Sequence, residues 1–468
     1  MMYLNKIKTV VFAWMVFLHS TNVASSCPSE CRCFGFSGDW IADCSTQNLT
    51  QIPSGFAENT TEIFLQNNLI STLPENAFSN LTKLKFLYLH NNNISEIAPA
   101  VFADPSLTLK YLTLHDNQIR ILPGDVFAGM SDLIVLNLNN NLLNSLPPSL
   151  VRNLTGIVQI SFSGNNLSSI DDVTFDDLSK LKYIGLSNNK LRSLPQNWGN
   201  IAPDLYSIDY SGNNLETLPP VPSTANQIYA TGNSISTLSS SSFANATELY
   251  EMFLSLNRIS AIENDTFLGA TSLGWLDLSG NAMERVDDFT FDHLSKLQGL
   301  YLAYNEPLSS ISSHAFEGFN ETIYRLSFDS CNFTWIDADI IASLTNKQLV
   351  IWMGNNPWNC DCNLQDVVEL VQSSPSKFYD LNQITCQNPD DVKGKKMTTV
   401  DSKSRCSPAP ITKAYSELGL AIGLSIAAAV VFVVIVGFLI NARTAKIINR
   451  NRQQTERTSR QDEVASVL

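Results

Sequence analysis

Leu109-Lys110-Tyr111-Leu112-Thr113-Leu114-His115-Asp116-Asn117-Gln118-Ile119 is the stretch on which the fold turns. Leu112 and Leu114 alternate with polar or variable residues, the period of two that marks a short strand burying one face. The same register recurs when the chain is aligned on Asn117. The anchors are Asn68, Asn92, Asn117, Asn141, Asn165, Asn189, Asn213, Asn233, Asn257, Asn281 and Asn305, then Cys331, then Asn356. Most intervals are 24 residues; the exceptions are 25 before Asn117 and Asn356, 20 before Asn233 and 26 before Cys331. The position five residues before each anchor is apolar in all thirteen units, as in Ile63, Leu87, Leu112 and Leu136.

A unit of this size cannot enclose a core alone, so neighbours must stack into a continuous one. Each strand then pairs in parallel with the next. Ten residues after the anchors stand Phe78, Phe102, Phe127, Phe175, Phe243, Phe267 and Phe291, with Phe316 displaced by one. This column is expected to fill the wide, convex side. The anchor amides are expected to turn inward and satisfy backbone groups of adjacent coils.

With this register laid out, the chain resembles the animal extracellular leucine-rich repeat family. The resemblance covers about 300 residues, and a repeat sustained that long is specific. It implies a leucine-rich repeat solenoid, a horseshoe with parallel β on the concave face and loops or short 3-10 turns on the convex face. The departures are local: Pro219-Pro220-Val221-Pro222 in the short unit, and an insertion near Pro307.

Eight of the nine cysteines flank the repeats in two groups of four: Cys27, Cys31, Cys33, Cys44, and Cys360, Cys362, Cys386, Cys406. A solenoid needs caps over its apolar ends. A secreted setting favours disulfides over zinc for such clusters. A bridge within Cys31-Arg32-Cys33 or Cys360-Asp361-Cys362 would close a strained ring, which leaves two pairings open in each group. Cys27-Pro28-Ser29-Glu30-Cys31-Arg32-Cys33 and Asn356-Pro357-Trp358-Asn359-Cys360-Asp361-Cys362 resemble the amino- and carboxy-terminal caps of leucine-rich repeat receptors. That resemblance implies Cys27–Cys33, Cys31–Cys44, Cys360–Cys386 and Cys362–Cys406. Cys331 falls in the asparagine column, where the family tolerates cysteine, and reads as a buried free thiol.

The ends assign a compartment. Residues 1–25 read as a secretory signal, with Lys6 and Lys8 before the apolar run Val10–Leu18 and small residues at Val23-Ala24-Ser25. Residues 418–440 are uncharged and apolar, long enough for one transmembrane helix, and a basic tail follows. The expected organisation is a signal (1–25), an amino-terminal cysteine cap (26–58), about thirteen repeats (59–356) and a carboxy-terminal cap (357–406). A stalk (407–417), a membrane helix (418–440) and a cytoplasmic tail (441–468) complete it. The expectation is a type I, single-pass plasma-membrane protein with its amino terminus outside. Gly419 and Gly423 form a GxxxG that allows dimerisation without requiring it. Ser466-Val467-Leu468 fits the ending that PDZ domains capture by strand addition, which makes a PDZ protein a candidate partner of the tail.

Residues 26–417 hold 22 basic and 41 acidic residues, a net charge of −19. A surface that acidic repels phosphate backbones, so nucleic acid is not expected as a partner. Function should lie on strand positions pointing away from the core, six, four and two residues before each anchor. Aromatics gather there toward both ends: Phe64, Phe86, Tyr88 and Tyr111, then Tyr229, Phe253, Trp275, Tyr301 and Trp352. Exposed aromatics anchor protein interfaces; shielding of the solenoid by mutual packing is the bland alternative. Ten N-x-[ST] sequons, at Asn48, Asn59, Asn80, Asn93, Asn153, Asn166, Asn245, Asn264, Asn320 and Asn332, all avoid the strand positions. His90 and His115 share one column in adjacent units, but Gln66 and Asn139 beside them are not usual third ligands, so solvated surface is the better reading. No hydrolase, zincin, phosphate-loop or kinase signature occurs, and no cofactor or enzymatic activity is expected. The sequence points to a cell-surface receptor or adhesion protein that binds an extracellular or cell-surface protein ligand. A co-receptor or decoy presenting ligand to another signalling chain is the alternative.

Overall fold

The computed structural model describes residues 27–401, apart from 37, 105, 177 and 196–201, together with residue 406. The expected signal, stalk, membrane helix and tail, including Gly419, Gly423 and Ser466–Leu468, lie outside the described residues. Among the described residues no helix is long and apolar enough to cross a membrane.

One 15-stranded sheet runs through residues 32–352 in chain order. Its strands are β1 (Arg32–Phe36), β2 (Asp39–Asp43), β3 (Thr60–Phe64), β4 (Phe86–Tyr88), β5 (Tyr111–Thr113), β6 (Val135–Asn137), β7 (Gln159–Ser161) and β8 (Tyr183–Gly185). Then follow β9 (Ser207–Asp209), β10 (Gln227–Tyr229), β11 (Glu251–Phe253), β12 (Trp275–Asp277), β13 (Gly299–Tyr301), β14 (Arg325–Ser327) and β15 (Val350–Trp352). β1 and β2 form an antiparallel hairpin; from β2 onward every pairing is parallel. Equivalent residues face one another, as Leu112 faces Leu136 and Ile184 faces Ile208. A one-residue slip would turn the apolar column to solvent, so the leucines fix this register.

The apolar columns are buried throughout, including the less typical Tyr210 and Ala230. Phe78, Phe102 and Phe127 stack behind them with ring centroids 5.8 and 6.1 Å apart. On the strand side of the same coils, Phe64–Tyr88 and Phe86–Tyr111 lie at 4.8 Å. The strands line one side of each coil, and the phenylalanine column packs beneath its opposite, outer side. That outer side is built mostly of turns. Among the described residues it also carries a 3-10 helix, Glu317–Phe319, and single-turn α-helices at Ser240–Phe243 and Ala338–Ala342. The α-turns extend the expectation of loops and 3-10 turns; each begins at a residue, Ser239 or Asp337, whose side chain accepts a backbone N–H.

The asparagine column is a ladder between coils. Asn92 Oδ1 accepts the Ile70 N–H of the preceding coil at 3.0 Å, and its Nδ2 donates to Leu65 O at 2.9 Å and Leu89 O at 3.0 Å. The pattern repeats through Asn305. These buried amides close the backbone groups that turning strands would leave unpaired.

Cys27 is bonded to Cys33, Cys31 to Cys44, and Cys360 to Cys386; Cys362 and Cys406 are also disulfide-bonded. At the far end Trp358 is fully buried and donates from Nε1 to Met353 O at 3.1 Å. The helix Gln365–Ser373 covers the last coil with Val367, Val368 and Val371.

Candidate protein-binding face

The strand positions that point away from the core form one continuous face with two aromatic stretches. In the first, Phe64 stacks on Tyr88 and Phe86 on Tyr111, both at 4.8 Å. His90 and His115 stack at 4.3 Å, and His90 Nδ1 meets Thr113 Oγ1 at 3.0 Å. Burial, then the neighbouring His115, pushes His90 down to about 4; burial also lowers His115. Burial, reinforced by Glu62, holds the Tyr88 hydroxyl up at about 12.

In the second stretch Tyr229 and Phe253 stack at 5.1 Å, and Trp275 and Tyr301 at 6.2 Å. A Cβ on Gly299 would come within 2.3 Å of the Trp275 ring, so only glycine lets that ring lie along the next strand. Trp275 Nε1 donates to Tyr250 Oη at 3.3 Å, and Tyr250 in turn donates to Gln298 Oε1 at 3.0 Å. The Arg325 guanidinium sits over the Trp275 ring at 5.5 Å, a cation–π contact. Trp352 packs against Tyr379 of the cap at 5.1 Å.

All nine aromatic candidates are half-buried rather than exposed. Stacking along the coil axis hides ring faces that a strand-by-strand reading leaves open to water. The ten sequon asparagines are exposed or half-exposed, and none lies on a strand. Among the described residues no cluster of three or more His, Cys, Asp or Glu could hold a metal.

Two columns escaped the sequence reading. Tyr206, Tyr250 and Tyr324, seven residues before their anchors, flank the strands; Tyr206 packs on Tyr183 and Tyr324 edge-on against Trp275. The second is the residue just before each anchor, which has positive φ in all thirteen coils. Ten of the thirteen are Asn, Asp or Gly, the types that accept this conformation. Their side chains bridge coils in places, as Asn91 Nδ2 does to Asn67 Oδ1 at 3.0 Å and Asn140 Nδ2 to Asp116 Oδ1 at 2.8 Å. Ser330, Leu256 and Tyr304 depart from the pattern. For a leucine or tyrosine this region costs roughly 1–2 kcal/mol. The Asn/Asp/Gly column was the available signal.

Comparison with known proteins fits this geometry. Residues 58–109, 108–167, 157–215 and 226–283 match the family described as leucine rich repeat. Residues 58–215 and 226–283 are thus leucine-rich repeats, and the disulfides on either side fit the cysteine caps of such ectodomains. Leucine-rich repeat-containing protein 3 of Rattus norvegicus is 36% identical over 86 residues, 18% of this chain and 34% of that protein. Immunoglobulin superfamily containing leucine-rich repeat protein of Homo sapiens is 37% identical over 79 residues, 17% of this chain and 18% of that protein. The chain thus spans about a third of the length of the first of these relatives and less of the second. Among solved structures, the Drosophila Toll–Spatzle complex matches with a TM-score of 0.61 at 20% identity, over 76% of this chain and 56% of the other. The complex of Latrophilin 3, Unc5D and FLRT2 matches at 0.54 and 22% identity, over 81% and 99%. These likenesses are of fold. No enzymatic family is among these matches.

Proposed function

We propose that this leucine-rich repeat chain is a type I cell-surface receptor or adhesion protein that binds a protein ligand through its strand face. The observation that carries the reading is the second aromatic stretch. On three consecutive strands Tyr301 stacks on Trp275 and Phe253 stands across Asp277 from Tyr301, all three half open to solvent and on strand positions that hold no sequon. Rigid aromatics of that kind lose little side-chain entropy on binding and make interface anchors. The solved relatives named above, captured with protein partners, support the reading by analogy of fold. The domain boundaries given above, occupancy of the ten sequons, the Cys362–Cys406 bridge, membrane spanning by 418–440 and PDZ capture of the tail belong to the same proposal.

The test uses the full-length chain displayed on cells and screened against secreted and cell-surface proteins. The triple variant Phe253→Ala, Trp275→Ala, Tyr301→Ala should reach the surface with unchanged yield and lose the ligand found with the native chain. Unchanged affinity would move the site to the convex side or a cap.

A further inference from the structure

Resting on that reading, we infer that the ligand docks against an apolar ridge formed by Leu256 and Tyr304 beside Phe253, Trp275 and Tyr301, and that it does so with a basic segment carrying apolar side chains. The ridge is the observation that sets this part of the face apart. Leu256 (φ 55°) and Tyr304 (φ 57°) occupy the left-handed position where other coils use Asn, Asp or Gly. Both are 63% exposed, so burial does not compensate for the strained backbone. A local rule broken twice without a packing gain marks a surface kept for something else.

The two residues are neighbours through one glycine. The three turns stack in consecutive coils: Leu256 N–H donates to Ser279 O and Gly280 N–H to Ala303 O, both at 2.8 Å. A Cβ on Gly280 would meet Leu256 Cδ2 at 2.8 Å, so the leucine lies across the glycine toward Tyr304. Leu256 stands three residues beyond Phe253, and Tyr304 three beyond Tyr301. Ridge and aromatic stretch thus belong to the same coils, with Asp277 in register between Phe253 and Tyr301.

Charge selects the occupant. From β6 to β12 no Lys, Arg or His occupies the positions six, four or two residues before an anchor. Asp209, Tyr229, Phe253 and Asp277 lie in one register across four strands, and Glu251 sits two residues before Phe253. Arg325 over Trp275 shows a guanidinium already accommodated at the border of this surface. A second copy of the chain is a poor occupant, because residues 26–417 carry a net −19. A partner presenting Arg or Lys beside an apolar side chain matches both the carboxylates and the ridge.

The probe is a random dodecapeptide display library panned on the full chain in detergent micelles. Enriched peptides should pair Arg or Lys with an apolar residue. Leu256→Asn/Tyr304→Asn should keep or raise the melting temperature, since asparagine suits the left-handed backbone, while binding of those peptides drops at least tenfold. Asp209→Asn/Glu251→Gln/Asp277→Asn should remove the preference for basic residues. Acidic or uncharged winners, no enrichment, or equal binding to the ridge variant would overturn the inference. Peptides that need Trp275 yet ignore ridge and carboxylates would sink this inference alone; peptides indifferent to Trp275 as well would take the strand-face reading with it.

Discussion

The two aromatic stretches of the strand face share a repeat register and differ in their borders. Around Phe64, Phe86, Tyr88 and Tyr111 the neighbours include Glu62, Lys85, Lys110, His90 and His115, and the left-handed column holds Asn67, Asn91 and Asp116. Around Tyr229, Phe253, Trp275 and Tyr301 the neighbours include Asp209, Glu251 and Asp277, and that column holds Leu256 and Tyr304. Both stretches stack within themselves and are half-buried. The second alone adds Leu256 and Tyr304, both 63% exposed, to its border. Aromatic content alone therefore does not locate a binding site; what surrounds the rings does.

The largest expected effect breaks this comparison if it is wrong. Tyr301→Ala should weaken an identified ligand by about 2 kcal/mol, roughly 30-fold, on top of a stability loss of about 1 kcal/mol from its stacking on Trp275. Tyr88→Ala should leave that affinity alone and cost about 1–2 kcal/mol of stability, from lost burial and lost stacking on Phe64. Titration and thermal melting of both variants decide the matter. Reversed roles would make the first stretch the ligand face.

The second expectation concerns pH and belongs to the first stretch. The folded state lowers His90 and His115 below their ordinary value, with burial as the leading cause. Among the described residues His115 Nδ1 is buried without a hydrogen-bond partner. The unfolded chain then binds more protons than the folded one between pH ~6.5 and the folded value of about 4 for His90. Stability should be fully present above that window and fall as pH drops through it. Replacing both residues with glutamine should flatten this part of the melting-temperature profile by a few degrees. A native profile flat between pH 6.5 and 4 would mean that the stacked pair is freely protonated.

The leucine columns, the anchor asparagines and the phenylalanine spine were legible because each is a single residue type at one offset. The amino-terminal hairpin of β1 and β2, which extends the sheet beyond the repeats, was not. Its residues sit between cysteines and share no period with the coils. Mutual packing of the aromatics was an open alternative, but which rings pair, as Tyr88 does with Phe64, was not legible, since ring orientation depends on the packing of neighbours and not on offset. Leu256 and Tyr304 were legible in principle, as two misfits in a column of Asn, Asp and Gly. That column becomes meaningful only once its positive φ is known.

The smallest expected effect lies where the second stretch loses regularity. In a regular coil the residue two after the anchor donates its N–H to the next anchor's Oδ1, as Met283 does to Asn305 at 3.2 Å. In the coil of Asn305 an inserted residue moves that place to Leu308, whose O accepts the Asn332 N–H as Ile70 O accepts that of Asn93, and Leu308 turns its own N–H back to Asn305 O at 2.9 Å. No donor faces the next anchor, and the next anchor is Cys331. Its single thiol proton is shared between Leu302 O at 3.3 Å and Asp329 O at 3.4 Å, so it keeps one of the asparagine's two donations and drops the acceptor role. Burial pushes that thiol up to about 12, which leaves it neutral and unreactive at physiological pH. Cys331→Asn, which restores the consensus residue, should therefore destabilise the fold by about 1–2 kcal/mol, because its Oδ1 would be buried without a partner. Cys331→Ser retains a donor and should cost less. Chemical denaturation of the two variants gives the order; an asparagine variant as stable as the native chain would show that another N–H reaches this position.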